Sequence, residues 1–114
     1  MNWLTHHTLS EDYVAQAEEG VRENDTVRAT ERYLLAAETE VKALESLEPS
    51  KQRTLGITAV SAASLYYKAQ DFIQAKKVAY KWLVTELLPP FSVAALEDML
   101  QTILRDKTHA ESSV

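Results

Sequence analysis

Cysteine is absent from this 114-residue chain, and glycine and proline are scarce, with two and three residues respectively. Without cysteine the chain can form no disulfide, offers no thiolate ligand to a metal and has no cysteine nucleophile. A β-sandwich or β-barrel needs many tight turns and the glycines and prolines that make them. The scarcity of these residues therefore favours long helices joined by few turns.

Long apolar runs are absent as well. The first residues contain no stretch typical of a signal peptide, and no segment approaches the ~20 apolar residues of a membrane-spanning helix. We therefore expect a cytoplasmic protein without a membrane partner. The length allows one domain with a single core. We expect residues 1–114 to form that domain, with an ordered core over about 3–105 and a polar tail over 106–114.

The charges are unevenly distributed along the chain, whose net charge is −5. Glu11 to Glu48 holds eleven acidic residues against four basic ones, whereas Lys51 to Leu83 holds one against six. The negative total disfavours general nucleic-acid binding, because attraction to phosphate dominates such affinity. Two interpretations stay open. The two halves attract each other within one molecule, or the basic half meets an acidic partner or the acidic half of a second copy.

Apolar side chains recur at three- and four-residue spacing in five segments, which predicts five amphipathic helices. The predicted helices cover residues from Thr8 or Ser10 to about 22, 26–47, 51–69, 72–87 and 92–105. Ser50, Asp71 and Ser92 are expected to cap the last three. Trp3 and Leu4 are expected to precede the first helix as a lid on the core. The small residues of the third helix predict that it lies at the centre.

Two parts of the chain correspond to each other, with Ala29 and Ala75 46 residues apart. The corresponding positions around the two turns are Gly20 and Tyr66, Asn24 and Gln70, and Asp25 and Asp71. The second part, Tyr66-Tyr67-Lys68-Ala69-Gln70-Asp71-Phe72-Ile73-Gln74-Ala75, resembles the turn of a tetratricopeptide repeat. Gln70 departs from that family, which usually has glycine there, and the family period is about 34 residues.

The resemblance implies an all-α fold: five helices in a right-handed superhelical or bundle arrangement of antiparallel hairpins. It also implies protein–protein interaction, because members of the family commonly bind peptides or helices in a concave groove. Some members clamp a terminal carboxylate with Lys and Asn. The corresponding positions here look like Val14 and Glu18, which cannot do so.

No motif points to chemistry. The chain has no glycine-rich phosphate loop and no HExxH zinc motif. His6 and His7 lack a third ligand nearby, and we interpret the acidic residues as a solvated face (Glu18, Glu19, Glu38, Glu40 and Glu45). Small helical ribonucleases of the HEPN type separate an Arg and a His by four to six residues, and Arg105 and His109 resemble that pattern but have only three residues between them. We nonetheless expect no catalytic site, no cofactor and no bound metal.

Binding is the remaining interpretation. Exposed aromatic and basic side chains favour a protein or peptide partner, since aromatic residues are common anchors at interfaces. The predicted partner-binding residues are Leu35, Tyr67, Lys68, Lys76, Lys77, Tyr80 and Lys81. Two alternatives stay open beside the ribonuclease: a nucleic-acid binder that uses the lysines, and a self-assembling structural protein. A homodimer is compatible with the main interpretation.

Overall fold

The computed structural model describes residues 2–112, and the side chains of residues 2–106. Five helices follow one another: α1 (Trp3–Arg22), α2 (Thr26–Glu45), α3 (Gln52–Lys68), α4 (Phe72–Leu83) and α5 (Pro90–Ser112). Residues 2–112 contain no strand. The predicted all-α fold with five helices is confirmed.

The central element is α3, as its small side chains predict. Each helix packs against the next one along the chain, and α3 also packs against α5. Ala59, Ala62 and Ala63 of α3 have no exposed surface. Short side chains allow the backbones of neighbouring helices to approach closely, so one helix can contact three others. The largest fully buried apolar side chains are Leu55 of α3 itself, Leu44 of α2 and Leu96 of α5.

The turn after α1 and the turn after α3 have the same backbone geometry. Asn24 and Gln70 both adopt the left-handed conformation, with φ of 58° and 62°. One residue later, a backbone N–H donates to the carbonyl five residues back, at Gly20 in the first turn (2.8 Å) and at Tyr66 in the second (2.9 Å). This bond closes a Schellman-type helix end. The backbone therefore has the same conformation at the corresponding positions of the two turns.

The next helix starts in the same way in both hairpins. The carboxylate of Asp25 accepts a hydrogen bond from the backbone N–H of Arg28 at 3.1 Å. That of Asp71 accepts one from the N–H of Gln74 at 3.2 Å. Each bond satisfies a donor that has no partner within its helix. The predicted cap at Asp71 is confirmed.

The start of α1 was predicted too late. Asn2 caps this helix, and its Oδ1 accepts from the backbone N–H of Thr5 at 3.0 Å. Trp3 and Leu4 consequently lie inside the helix and do not form a separate lid. The first turn is further held by the indole Nε1 of Trp3, which donates to Thr58 Oγ1 of α3 at 3.0 Å.

Two predicted caps are wrong. Lys51 occupies the capping position before α3 and makes no side-chain hydrogen bond there, so Ser50 is not the cap. Helix α5 begins at Pro90, because proline has the backbone angle of a first helical residue and needs no N–H partner there. Ser92 is buried within the helix, and its hydroxyl donates to the carbonyl of Pro89 at 2.7 Å.

The ends of the last two helices also differ from the prediction. Helix α4 stops at Leu83 instead of Leu87, and Glu86 in the following loop has a φ of 58°. The backbone of α5 continues past Arg105 to Ser112. Apolar periodicity predicted the part of α5 that packs on the core, whereas a polar extension carries no such pattern.

Both glycines lie where two helices meet closely. A Cβ on Gly20 would lie 3.0 Å from the backbone nitrogen of Ala29, so α1 and α2 approach each other closely here. A Cβ on Gly56 would lie 2.5 Å from the hydroxyl oxygen of Ser92. The sequence did not predict this second contact, which sets the separation of α3 and α5.

Candidate functional site

Helix α4 has an outward side that is largely apolar. Ile73, Lys77, Tyr80 and Val84 follow one another at four- and three-residue spacing and therefore share one side of the helix. The exposed fractions of the three apolar members are 62% for Ile73, 57% for Tyr80 and 77% for Val84. The opposite side of α4 faces the core through Ala75, Val78 and Ala79.

Helix α5 extends this surface. A groove of about 330 Å³ between α4 and α5 is lined by Lys76, Tyr80, Leu100, Gln101, Ile103 and Leu104. Leu104 at its edge is 64% exposed. We call the combined surface the α4–α5 face and define it by its exposed apolar residues and its lysines: Ile73, Tyr80, Val84 and Leu104 with Lys76, Lys77 and Lys81.

The lysines give this face positive charge. Lys81 Nζ lies 3.9 Å from Glu45 Oε1, and these side chains are 64% and 55% exposed. Such an exposed ion pair contributes little energy, typically ~0–1 kcal/mol. Among the side chains that the structure describes, it is the one ion pair that these three lysines make. Most of their charge therefore faces solvent.

A second groove, of about 380 Å³, lies between α3 and α5. It is lined by Val60, Ser64, Tyr67, Lys68, Ala95, Asp98, Met99 and Thr102. The hydroxyl of Tyr67 donates to the carboxylate of Asp106 at 2.5 Å. The ammonium of Lys68 lies 5.7 Å from the centre of the Tyr33 ring. Tyr67 and Lys68 thus contact other side chains of the molecule, and Lys68 and Asp98 carry opposite charges.

The structure divides the predicted partner-binding residues among three places. They are Leu35, half-buried on α2; Tyr67 and Lys68, in the α3–α5 groove; and Lys76, Lys77, Tyr80 and Lys81, on the α4–α5 face. The α4–α5 face is the largest of these groups. Of the exposed apolar residues of this face, the sequence predicted Tyr80 but not Ile73, Val84 or Leu104. The spacing of Ile73, Tyr80 and Val84 could have indicated this surface, because these residues form a second apolar stripe beside the one that faces the core.

A buried polar cluster joins the first three helices. Glu40 on α2 is 1% exposed, and its carboxylate accepts from the hydroxyl of Ser61 at 2.7 Å. His7 Nδ1 lies 3.0 Å from Glu40 Oε1, and Nε2 lies 2.6 Å from Glu11 Oε1. The two ring nitrogens of His7 therefore contact carboxylates on two helices, α2 and α1. This cluster was missed in the sequence, where Glu40 was wrongly assigned to a solvated face.

The cluster is covered by Trp3. Its ring stacks on His7 with the centroids 4.6 Å apart and the planes 10° from parallel. The signal for the cluster was the position of Glu40, which falls among Ala36, Ala37 and Leu44 on the core-facing stripe, where a charge needs a partner. The hydroxyl of Ser61 donates to a carboxylate and not to an imidazole, so the ring does not act as its base. This geometry does not activate a serine nucleophile.

Three tyrosines have shifted pKa values. Burial, followed by the charges of Glu38, Asp71 and Glu45, raises the pKa of Tyr66. Burial and then Glu18 raise the pKa of Tyr33.

At Tyr67 the main cause is the hydrogen bond to Asp106, followed by burial and by the charge of the same carboxylate, and the pKa again rises. The nearby carboxylates thus disfavour the phenolate in all three.

The remaining expectations concern metal binding, membrane spanning and ribonuclease activity. No group of three or more His, Cys, Asp or Glu side chains within them is placed to hold a metal ion. None of their helices has both the length and the apolar composition to cross a bilayer. The His109 of the ribonuclease alternative lies outside the side chains that the structure describes. Comparison with protein-family models, with curated proteins and with solved structures gave no match.

Proposed function

We propose that this chain is a non-catalytic protein-interaction module and that the α4–α5 face is its binding surface. The observation that carries the proposal is the exposure of four large apolar side chains on that face, each more than half accessible: Ile73, Tyr80, Val84 and Leu104. Monomeric proteins rarely leave large contiguous apolar patches in water, and such patches commonly mark interaction sites. Tyrosine is also enriched among the residues that dominate binding energy.

The proposal includes the tetratricopeptide-like architecture. We interpret α1–α2 and α3–α4 as two divergent repeats in a right-handed superhelix, a reading supported by the identical geometry of their turns. In this reading α5 takes the place of the first helix of a third repeat. Each unit of such a stack buries a face of its neighbour, and the last unit leaves a face open. The α4–α5 face would be that open surface.

The alternative functions receive less support. A phosphate-binding surface would favour lysines alone, whereas here large exposed apolar side chains lie beside them, and Lys68 lies in the other groove. Self-assembly of copies is compatible with an exposed apolar face. We also propose that the chain is located in the cytoplasm, and cell fractionation tests this location directly.

Site-specific photo-crosslinking in a native extract tests the proposal. A benzophenone amino acid replaces Tyr80 on the α4–α5 face, and a matched variant carries it in place of Asp12, which is exposed on α1. We expect a discrete covalent adduct with a protein from position 80 and none from position 12. Equal labelling from the two positions would contradict the proposed face. A nucleic-acid adduct at position 80 would contradict the protein-interaction function itself.

A further inference from the structure

The shape of the α4–α5 face indicates the kind of chain that covers it. Its apolar centre runs along α4 through Ile73, Tyr80 and Val84 and is continued across the groove by Leu104. A groove between two neighbouring helices accepts the side-chain ridges of a third helix. An amphipathic helix that lays its apolar stripe into such a groove is a recurring mode of peptide recognition.

The charge of the face indicates what flanks that apolar stripe. Lys77 lies within the apolar row of α4, with Lys76 toward the groove and Lys81 one turn further along the helix. A bound helix brings its own flanks next to these ammonium groups. Carboxylates there complement the lysines and speed association, whereas lysine or arginine would be repelled. All three lysines belong to α4, so glutamate and aspartate on the flank of the bound helix that faces α4 fit this face.

A second copy of the chain fits less well. Two α4–α5 faces set against each other would bring the same lysines together. Helix α1 carries suitable charge at Glu11 and Glu18. Its large exposed apolar side chains, Leu4, Leu9 and Val21, do not recur at three- or four-residue spacing and so form no row. A partner for the face needs several apolar residues in a row as well as acidic flanks.

We propose that the α4–α5 face binds an acidic amphipathic helix of another protein. This inference rests on the proposed function and names its class of partner. Apolar side chains of the partner helix pack between Tyr80 and Leu104. Its carboxylates pair with Lys76, Lys77 and Lys81.

The test uses fluorescence anisotropy with the full chain and three labelled helical peptides of about 18 residues. The first has leucines at three- and four-residue spacing flanked by glutamates. The second has lysines in place of the glutamates, and the third has alanines in place of the leucines. We expect the first to bind with a Kd below about 100 µM and the other two at least ~10-fold more weakly.

Three variants locate the binding. Lys77→Glu should weaken the acidic peptide at least ~10-fold, whereas Arg22→Glu, the same charge change on α1, should leave its Kd within ~2-fold. Circular dichroism melting verifies that each variant folds. Tyr80→Ala should weaken binding without changing the charge, so it separates the apolar contact from the electrostatic one.

Several results would overturn the inference. The first is that the acidic peptide does not bind with a Kd below about 100 µM. The second is that the lysine-flanked peptide binds equally well, and the third is that Lys77→Glu and Arg22→Glu weaken binding equally. A concentration-dependent dimer in sedimentation that Lys77→Glu abolishes would assign the face to a second copy. Tight binding of a labelled single-stranded RNA at Lys77 would assign it to nucleic acid. A protein adduct from position 80 together with no peptide binding would retain the proposed function and reject this partner.

Discussion

At the scale of single residues, the His7–Glu40–Ser61 cluster places a carboxylate in the core, where its stability depends on its partners. Removing one partner of a buried charge leaves the other without compensation. We therefore expect His7→Ala to lower the free energy of unfolding by about 2–3 kcal/mol, since Glu40 is 1% exposed and would keep only Ser61. Urea unfolding followed by circular dichroism measures the loss.

Two further variants show whether the buried contact is the cause. Glu11→Ala removes the exposed partner of His7 and should cost less than about 0.5 kcal/mol. The double variant His7→Ala with Glu40→Gln removes the buried charge as well as the ring. It should be less destabilised than the sum of its single variants by about 1 kcal/mol. Additive losses would mean that His7 stabilises the fold through its packing against Trp3 alone.

Tyr67 ties α3 to the exposed end of α5. Its pKa is raised chiefly because the phenol donates a hydrogen bond to Asp106, and deprotonation abolishes that bond. The contribution to stability is therefore complete below the ordinary tyrosine pKa of 10.0 and is lost as the pH rises through the higher folded-state value.

We expect Tyr67→Phe to cost about 0.5 kcal/mol at neutral pH. The difference from the wild type should vanish above the folded-state pKa. Urea unfolding at neutral and at strongly alkaline pH measures it. A difference that persists at alkaline pH would show that the phenol acts through packing. Asp106→Asn serves as the control, because it keeps an acceptor but removes the carboxylate charge that raises the pKa.

At the scale of elements, the two matching turns have different residues, Asn24 and Gln70, at the position with a positive φ. Gln70 and Asn24 both have a positive φ, which costs most residues about 1–2 kcal/mol and asparagine less. We expect Gln70→Gly to raise the free energy of unfolding by about 0.5–1 kcal/mol, after the entropy of glycine in the unfolded chain is subtracted. Asn24→Gly should gain less. Thermal melting measures both, and an equal gain from Gln70→Ala would contradict the conformational explanation.

These elements also show what the sequence could and could not predict. The five helices and the two equivalent turns followed from apolar spacing and from Asp25 and Asp71, because both signals are local. The start of α1 was missed because its first turn is held by Trp3 against Thr58, a contact between residues far apart in the chain. The partners of Glu40, which are His7 and Ser61, also lie far away in the chain. The position of Glu40 on the core-facing stripe was a local signal of burial, but it does not indicate those partners.

At the scale of the whole molecule, the separation of acidic and basic halves raises the question that the sequence left open. If the halves attracted each other within the molecule, ion pairs would join them. Among the described side chains, Lys81 and Glu45 form the one salt bridge between the two segments, and both are more than half exposed. The fold therefore leaves the positive charge of α4 on the surface instead of neutralising it internally.

This arrangement predicts that the lysines of the α4–α5 face contribute little to folding. The double variant Lys77→Glu with Lys81→Glu should change the free energy of unfolding by less than about 1 kcal/mol, because both side chains are exposed. Raising the salt from about 0.05 to 0.5 M should shift the unfolding midpoint of this variant and of the wild type alike. Urea titrations at the two salt concentrations measure both quantities. A loss of several kcal/mol that disappears at high salt would show that the lysines of α4 hold the acidic helices α1 and α2 by electrostatic attraction. The lysines would then have a role within the molecule, and the reason for an acidic partner would be removed.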